Sequence, residues 1–286
     1  MTARDSYLVV GNPCLDRVSA GHVFGGSSFY AAIQASLFGL TAHIVGLVEP
    51  DVRVDLVARL AAYGVDLAGL LPAAATTVFE NRYEEDGTRQ QVMISPGEPI
   101  PAAQLPRTSC TVLHLAPIAD EVDVAAIVHD DRVQAGFVGL TAQGLLRHRE
   151  SDHLVTLHEA RLPAETARRI DAVIVGGEEA PYCQALLDDV HAGGGVVVIT
   201  EGAAGAVARR AGTTIRIAPR PAAAVDPTGA GDVFAAALFI GLSRGEPLEV
   251  AGAWASAAAA LCVRGPGADT LASLDDVLKL VEERAG

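Results

Sequence analysis

The chain has 286 residues, half of them hydrophobic, and a formal net charge of −14 at pH 7. This length and apolar share suffice for one α/β domain with a large core, so we expect a single domain over residues 1–286. The acidic balance argues against a nucleic-acid or anionic-membrane partner, since either would need a basic surface. We therefore expect a small-molecule partner.

The four cysteines are widely spaced, and no pair has the short spacing of a zinc site or a disulfide framework. No run of about 18 uncharged apolar residues indicates a membrane span, and the first residues lack the pattern of a signal peptide. These features predict a reduced, cytoplasmic protein.

The only lysine is Lys279, near the C-terminus. A Walker A loop, a protein-kinase strand lysine and a Schiff-base lysine are therefore excluded, because each needs a lysine beside a glycine-rich loop or a pocket. Any bound phosphate must be held by backbone amides, arginine or metal.

Short Val/Ile-rich runs recur along the chain and predict buried parallel strands. They are residues 7–10, 43–48, 111–115, 133–138, 172–175 and 196–200. Between them, apolar residues at three-and-four spacing predict helices at 28–38, 54–63, 122–129 and 181–191. Strand and helix alternate, which is typical of an α/β sheet covered on both faces.

Residues 76–95 interrupt this alternation. Two β-prone runs flank the turn-forming residues 84–87, which predicts a β-hairpin outside the main sheet. Its many charged and amide side chains favour a flap over a pocket, and a plain edge hairpin is the alternative.

The most informative segment is Asp-Pro-Thr-Gly-Ala-Gly-Asp-Val-Phe at residues 226–234, which precedes a run of small residues with helical character. Small residues at a helix start leave backbone amides open to a ligand, and such a terminus favours anions. Asp232 is placed to cap this helix and to face an incoming hydroxyl group.

The whole segment resembles the C-terminal signature of the ribokinase-like (PfkB) carbohydrate kinase family. The resemblance implies a ribokinase-like three-layer α/β sandwich with a mostly parallel sheet and a small β lid from about residues 12–24 and 76–97. It also implies an anion hole at Gly229, Ala230 and Gly231, with Asp232 as the catalytic base.

Other segments extend the resemblance to the acceptor site. Asp16 resembles the aspartate that orients the substrate, and Gly25-Gly26 resembles the region where backbone lies close to it. Tyr30 stands where the family usually has asparagine. The acceptor-binding residues that we expect are Asp16, Asn12, Gly25, Gly26 and Arg82.

The phosphoryl donor is implied to be ATP. Glu179 matches the glutamate of the family's NxxE motif, which steers hydrated Mg²⁺, although Gly176 replaces the asparagine. Asp226 and the loop at 264–268 are implied to hold a monovalent cation such as K⁺. The nucleotide-binding residues implied are Thr200, Gly202, Gly205, Thr228, Gly265 and Gly267.

Three hypotheses about the function and the bound small molecule stay open. Residues 11–16, 76–80 and 97–100 resemble myo-inositol kinases, and carboxylate, amide and guanidinium groups suit a ring polyol. A nucleoside is the second reading, because Phe24, Phe29, Tyr30 and Phe79 would build an aromatic slot for a base. The third is an inactive sugar-binding regulator.

Two further expectations concern the protein class and its assembly. A nicotinamide dehydrogenase is disfavoured because no G-x-G-x-x-G motif follows the first strand. A homodimer through the lid is implied by the family resemblance.

Overall fold

The computed structural model describes residues 5–83 and 89–283. Its strands, numbered in chain order, are β1 (Ser6–Val10), β2 (Cys14–Val18), β3 (Gly21–Gly25), β4 (Thr41–Val48), β5 (Leu70–Pro72), β6 (Thr77–Tyr83), β7 (Arg89–Ser95), β8 (Thr108–Leu115), β9 (Val133–Thr141), β10 (Arg147–Arg149), β11 (Val155–Leu157), β12 (Ala172–Gly176), β13 (Val196–Thr200), β14 (Ala206–Arg210) and β15 (Thr213–Ile217).

Short α-helical turns and longer helices connect these strands. They are α1 (Ser27–Leu37), α2 (Pro50–Ala61), α3 (Val124–Val128), α4 (Gln143–Leu146), α5 (Ala164–Ala167), α6 (Gln184–Ala192), α7 (Ala230–Ser243), α8 (Leu248–Cys262) and α9 (Leu274–Glu282).

A nine-stranded sheet forms the centre of the fold, in the order β15-β14-β13-β12-β9-β8-β1-β4-β5. The pairs from β13 to β5 are parallel, and β14 and β15 add an antiparallel edge. The six strands predicted from apolar runs are all in the parallel part. They read as continuous apolar segments because helices cover both of their faces.

Alternate side chains of one strand show these two faces. Tyr7 and Val9 of β1 join a core with α1, α2, α7 and α8, whereas Leu8 and Val10 join a second core with α3 and α6. The three-layer sandwich implied by the resemblance is confirmed.

A separate four-stranded sheet has the order β3-β2-β6-β7. β6 and β7 are antiparallel, which confirms the predicted pair of strands, and residues 84–87 of the predicted turn lie outside the described residues. β2 and β3 form a further antiparallel pair, where the resemblance implied a β lid at about residues 12–24, although no apolar run indicated these strands. Closure of this small sheet as a lid stays a prediction.

The four cysteines are buried and free. Within residues 5–83 and 89–283, no helix combines the length and the apolarity needed to cross a membrane.

Candidate active site

The informative segment folds into the N-terminus of α7. Gly229 is the N-cap residue and has a left-handed conformation, with φ of 78°. A Cβ there would also lie 2.5 Å from ring carbons of Tyr30, so glycine is required by both backbone and space. The amides of the first turn, including those of Gly231 and Asp232, have no acceptor within the helix. The helix start that the sequence predicted is therefore present, and anion binding at its amides stays a prediction.

Asp232 lies in this first turn, and its pKa is raised to about 6. Burial of the carboxylate is the main cause. A hydrogen bond with Ser27 and the charge of Arg147 lower the pKa, whereas the charges of Glu179 and Asp16 raise it. A carboxylate with this pKa is largely ionised at neutral pH and is a stronger base than an ordinary aspartate.

A cavity of about 640 Å³, which we call the α7 cavity, opens beside Asp232. It is lined by Thr141, Gln143, Thr200, Gly231, Asp232 and residues 174–179 and 201–202. Five residues proposed for catalysis, ATP or metal binding thus meet here, on the carboxyl ends of neighbouring strands. This is where open α/β sheets bind ligands.

A second cavity, of about 600 Å³, lies between the small sheet and the segment that precedes α7. This small-sheet cavity is lined by Asp16, Arg17, Val18, Ser19, Val23, Tyr30, Glu80, Asn81, Asp226 and Thr228. A Cβ on Gly25 would lie 2.3 Å from a carboxylate oxygen of Asp16, so Gly25 lets that carboxylate approach the backbone. Gly26 has φ of 93° and begins α1.

Two side chains expected at the acceptor are placed elsewhere. Asn12 is fully buried; its Oδ1 accepts a hydrogen bond from the Leu47 amide and its Nδ2 donates to the Glu98 carbonyl, both at 2.8 Å. Asn12 therefore ties loops together and does not line either cavity. Arg82 is exposed and pairs with Glu80, so it does not line the small-sheet cavity either.

Several glycines expected to touch nucleotide have structural roles instead. A Cβ on Gly205 would lie 2.3 Å from the Ile217 carbonyl oxygen, and one on Gly265 would lie 2.5 Å from Thr270. These glycines and Gly267 do not line the α7 cavity. Chain packing accounts for Gly205 and Gly265 without a ligand.

Asp226 joins two loops of the predicted nucleotide site. Its Oδ1 accepts a hydrogen bond from the Thr228 amide at 2.9 Å, and its Oδ2 accepts one from the Gly267 amide at 3.0 Å. The carboxylate thus holds the 226–232 segment against the loop after α8. Cation binding at Asp226 stays a prediction.

The sequence analysis missed a polar pair formed by Gln143, the first residue of α4, and Arg147, which follows α4 and begins β10. The Arg147 guanidinium donates to Gln143 Oε1 at 2.7 Å and lies 5.7 Å from the centre of the Phe79 ring. Gln143 Nε2 in turn donates to Ser27 and lies 3.5 Å from Asp232 Oδ1. Glutamine and arginine four residues apart, directly after a predicted strand, were the signal that could have revealed the pair.

Carboxylates at the edge of the α7 cavity determine whether Mg²⁺ suits this site. Glu178 and Glu179 are present there, and Glu179 Oε2 accepts a hydrogen bond from the Gly176 amide at 2.8 Å. No group of three or more His, Cys, Asp or Glu residues suited to a metal occurs in the part of the chain that the structure describes. One or two carboxylates fit a Mg²⁺ ion that takes its other ligands from water and phosphate.

Comparison with known proteins shows similarity to kinases. The model described as "pfkB family carbohydrate kinase" matches residues 156–275. This match and the kinase relatives support a phosphotransferase with a hydroxyl group as acceptor.

Two relatives are each 28% identical to this chain. A cytidine kinase of Thermococcus kodakarensis aligns over 79% of this chain and 82% of its own length. An inositol 3-kinase of Oryza sativa subsp. japonica aligns over 83% of this chain and 63% of its own length, so the chain spans less than two thirds of that relative.

Solved structures support the ribokinase-like fold. A pyrophosphate-dependent kinase in the ribokinase family, complexed with a pyrophosphate analog and myo-inositol, has a TM-score of 0.80 at 21% identity and covers 96% of this chain and 99% of its own. Arabidopsis thaliana ribokinase, complexed with ribose and ATP, has a TM-score of 0.74 at 20% identity and covers 98% and 99%. The predicted fold is confirmed.

Proposed function

We propose that this protein transfers a phosphoryl group from ATP to a hydroxyl group of a small polyol, with a cyclitol as the preferred class. The observation that carries the proposal is the position of Asp232. This base lies on the anion-binding terminus of α7, beside the α7 cavity, and Asp16 and the Gln143–Arg147 pair are near enough to act on it.

Phosphoryl transfer requires positioning, neutralisation of charge on the transferred group and removal of one proton. Asp232 accepts the proton of the acceptor hydroxyl. The first-turn amides of α7, at Gly231 and its neighbours, stabilise the oxygens of the transferred group. Asp16 orients the acceptor by accepting hydrogen bonds from its other hydroxyls.

The α7 cavity receives the phosphoryl donor in this proposal. Thr200 and Gly202 line it together with Asp232 and contact the phosphates in this proposal. Glu179, with Glu178, would hold hydrated Mg²⁺, which supplies charge neutralisation on the phosphates when bound.

The described aromatic residues favour a polyol over a nucleoside. Phe29 and Phe79 are each 2% exposed, and Tyr30 is 1% exposed with its ring against Gly229. Three of the four rings expected to build a slot for a base are therefore used in packing, and Phe24 alone of the four is partly exposed. Tyr30 is the single aromatic residue among those lining the small-sheet cavity, where carboxylate, amide and hydroxyl groups predominate. Such groups suit the hydroxyls of a ring polyol.

A nucleoside kinase is the second candidate, supported by the similarity to a cytidine kinase. The donor also has a second candidate, because one structural neighbour is pyrophosphate-dependent. Both alternatives keep the same base and the same anion-binding helix terminus.

The test is a kinase assay with a panel of cyclitols, ketoses, aldoses and nucleosides, each with ATP and with pyrophosphate. We expect the highest kcat/KM for a cyclitol with ATP. A nucleoside that exceeds every cyclitol by about a hundredfold or more would reverse the order of acceptors, since a site built for one polar pattern discriminates on this scale. Polyol binding by calorimetry without turnover on any acceptor would instead indicate a regulator.

We expect kcat/KM for the acceptor to rise with pH through about 6 and then to level off. Asp232 must be ionised to accept a proton, and its pKa is raised to about 6, so protonation below that pH removes the base. Arg147→Gln should move this acid limb to higher pH, because the guanidinium favours the charged carboxylate. Asp16→Asn should move it to lower pH, because one repelling charge is lost.

The variants should be compared by the pH at which kcat/KM rises, and not by the value of kcat/KM on the plateau. Arg161→Gln is the control, since Arg161 is exposed and pairs with Glu159 on the surface. A limb that stays in place in both Arg147→Gln and Asp16→Asn would show that Asp232 is not the titrating group.

A further inference from the structure

A chain of buried polar side chains runs through the sheet to the α7 cavity. Tyr7 of β1, His114 of β8 and Thr141 at the end of β9 lie on three adjacent strands. Tyr7 Oη is 2.7 Å from His114 Nδ1, and His114 Nε2 is 3.1 Å from Thr141 Oγ1. Tyr7 and His114 are fully buried, and Thr141, 6% exposed, lines the cavity together with Asp232.

The protons of this chain can be assigned by counting donors and acceptors. Burial lowers the pKa of His114 to about 3, so its imidazole is neutral and has one donor and one acceptor nitrogen. Among the described residues, His114 Nδ1 is the one hydrogen-bond partner of the Tyr7 hydroxyl. The hydroxyl must therefore donate to Nδ1, because an unpaired buried O–H group is costly.

The assignment then fixes the direction of the next bond. With Nδ1 accepting, the proton of His114 is on Nε2, which donates to Thr141 Oγ1. The Thr141 hydroxyl accepts this hydrogen bond, so it cannot donate its own proton to His114 Nε2. Its proton is therefore available to a group in the α7 cavity.

The α7 cavity needs such a neutral donor. Its described lining contains Glu178, Glu179, Glu201 and Asp232 but no lysine or arginine. The other hydroxyl in the lining, that of Thr200, already donates to the Val175 carbonyl at 3.3 Å. The Gln143 amide, also in the lining, already donates to Ser27 and Asp232. Phosphate oxygens in this cavity must therefore be bound by backbone amides, by metal or by the proton of Thr141.

We propose that Thr141 is a phosphate-binding residue, and that Tyr7 and His114 are positioning residues that hold its hydroxyl as a donor toward the phosphoryl donor. This inference rests on the proposed function, because it takes the α7 cavity as the site of the phosphoryl donor. The hydroxyl adds a neutral hydrogen bond to a charged phosphate oxygen, which is stronger than a bond between two neutral groups.

Thr141→Val and Thr141→Ser test the proposal as a matched pair. Valine keeps the shape and removes the hydroxyl, so we expect kcat/KM for ATP to fall about 10- to 100-fold, as for the loss of a hydrogen bond to a charged group. Serine keeps the hydroxyl and should stay within about threefold of the wild type. In both variants the KM of the acceptor should be nearly unchanged. Equal kcat/KM for ATP in Thr141→Val and the wild type would overturn the proposal.

Nitrogen NMR of the imidazole tests the relay even if a variant folds poorly. In the wild type, His114 should stay in the neutral form with the proton on Nε2 across the folded pH range, and a His114→Gln spectrum assigns its signals. Adding ADP with Mg²⁺ should shift the Nε2 signal in the wild type and in Thr141→Ser but not in Thr141→Val. A proton on Nδ1, or no response to ADP in a protein that binds ADP by calorimetry, would overturn the proposal.

The two measurements separate this inference from the proposed function. A wild-type protein that binds ADP but phosphorylates no acceptor contradicts the proposed function, and the NMR response to ADP still decides the role of Thr141. An active wild type with an active Thr141→Val variant contradicts only the inference.

Discussion

Replacement of Asp232 by asparagine is expected to lower kcat by at least about a hundredfold, the usual scale for loss of a general base. Asparagine keeps the size of the side chain and can still contact Ser27, but it cannot accept the proton of the acceptor. The dissociation constants of ATP and of the acceptor, measured by calorimetry, should change little. Near-normal turnover in Asp232→Asn would show that another group acts as the base.

The same substitution should stabilise the folded protein at pH 7. The pKa of Asp232 is raised from 3.8 to about 6, so the ionised carboxylate is less favourable in the folded chain than in the unfolded one. Asparagine removes this cost, which is about 3 kcal/mol in the free energy of unfolding. The gain should shrink as the pH falls from 6 toward 4, because the carboxyl group then becomes protonated in both states.

Thermal unfolding of both proteins at several pH values measures this effect. Asp55→Asn is the control, since Asp55 is an exposed carboxylate on α2 and should change neither stability nor turnover. A lower unfolding temperature for Asp232→Asn than for the wild type at pH 7 would contradict the assigned pKa. We expect Asp232→Asn to lose turnover and to gain stability, which is the pattern of a residue that serves function at a cost in stability.

Gly229→Ala is expected to destabilise the fold by about 2–4 kcal/mol, because it combines a left-handed backbone with a steric clash. Gly229 has φ of 78°, and an added Cβ would lie 2.5 Å from the Tyr30 ring. The loop must shift to relieve both, which moves the amides that face the phosphoryl group. We therefore expect turnover to fall at least about tenfold as well.

Gly231→Ala is the matched control for stability, two residues along the same segment. A Cβ on Gly231 meets no atom within 4 Å, and the residue is helical. Alanine there should stabilise the protein by about 0.5–1 kcal/mol through helix propensity. Chemical denaturation of the two variants should thus give shifts of opposite sign. Gly229→Ala with wild-type stability would show that the loop is less constrained than the structure indicates.

A double substitution separates the two causes. Tyr30→Ala removes the ring that an alanine at Gly229 would meet, while the backbone conformation is unchanged. In a double-mutant cycle, Gly229→Ala should therefore cost less in the Tyr30→Ala background than alone. No coupling between the two positions would assign the whole effect to the backbone.

Regular patterns of apolar residues in the sequence predicted most of the fold. The parallel strands were identifiable because burial on both faces makes them continuous apolar runs, and β1, β4, β8, β9, β12 and β13 all lie where such runs occur. β2 and β3 have no such run because their side chains are largely exposed, and only the family resemblance implied a β lid there. Strands of that kind are specified by pairing with a partner, which is not local in the chain.

Local sequence also determined the anion-binding terminus of α7. Small residues, a left-handed glycine and the carboxylate of Asp232 are within four consecutive positions, so their geometry follows from one helix start. Only the tertiary structure determined the rest of the site, because the role of a side chain depends on contacts with residues that are distant in sequence. The side chain of Asn12 is fully used in hydrogen bonds with the backbone groups of Leu47 and Glu98. The direction of the Thr141 hydroxyl proton is fixed only because the fold places Tyr7 and His114 beside it.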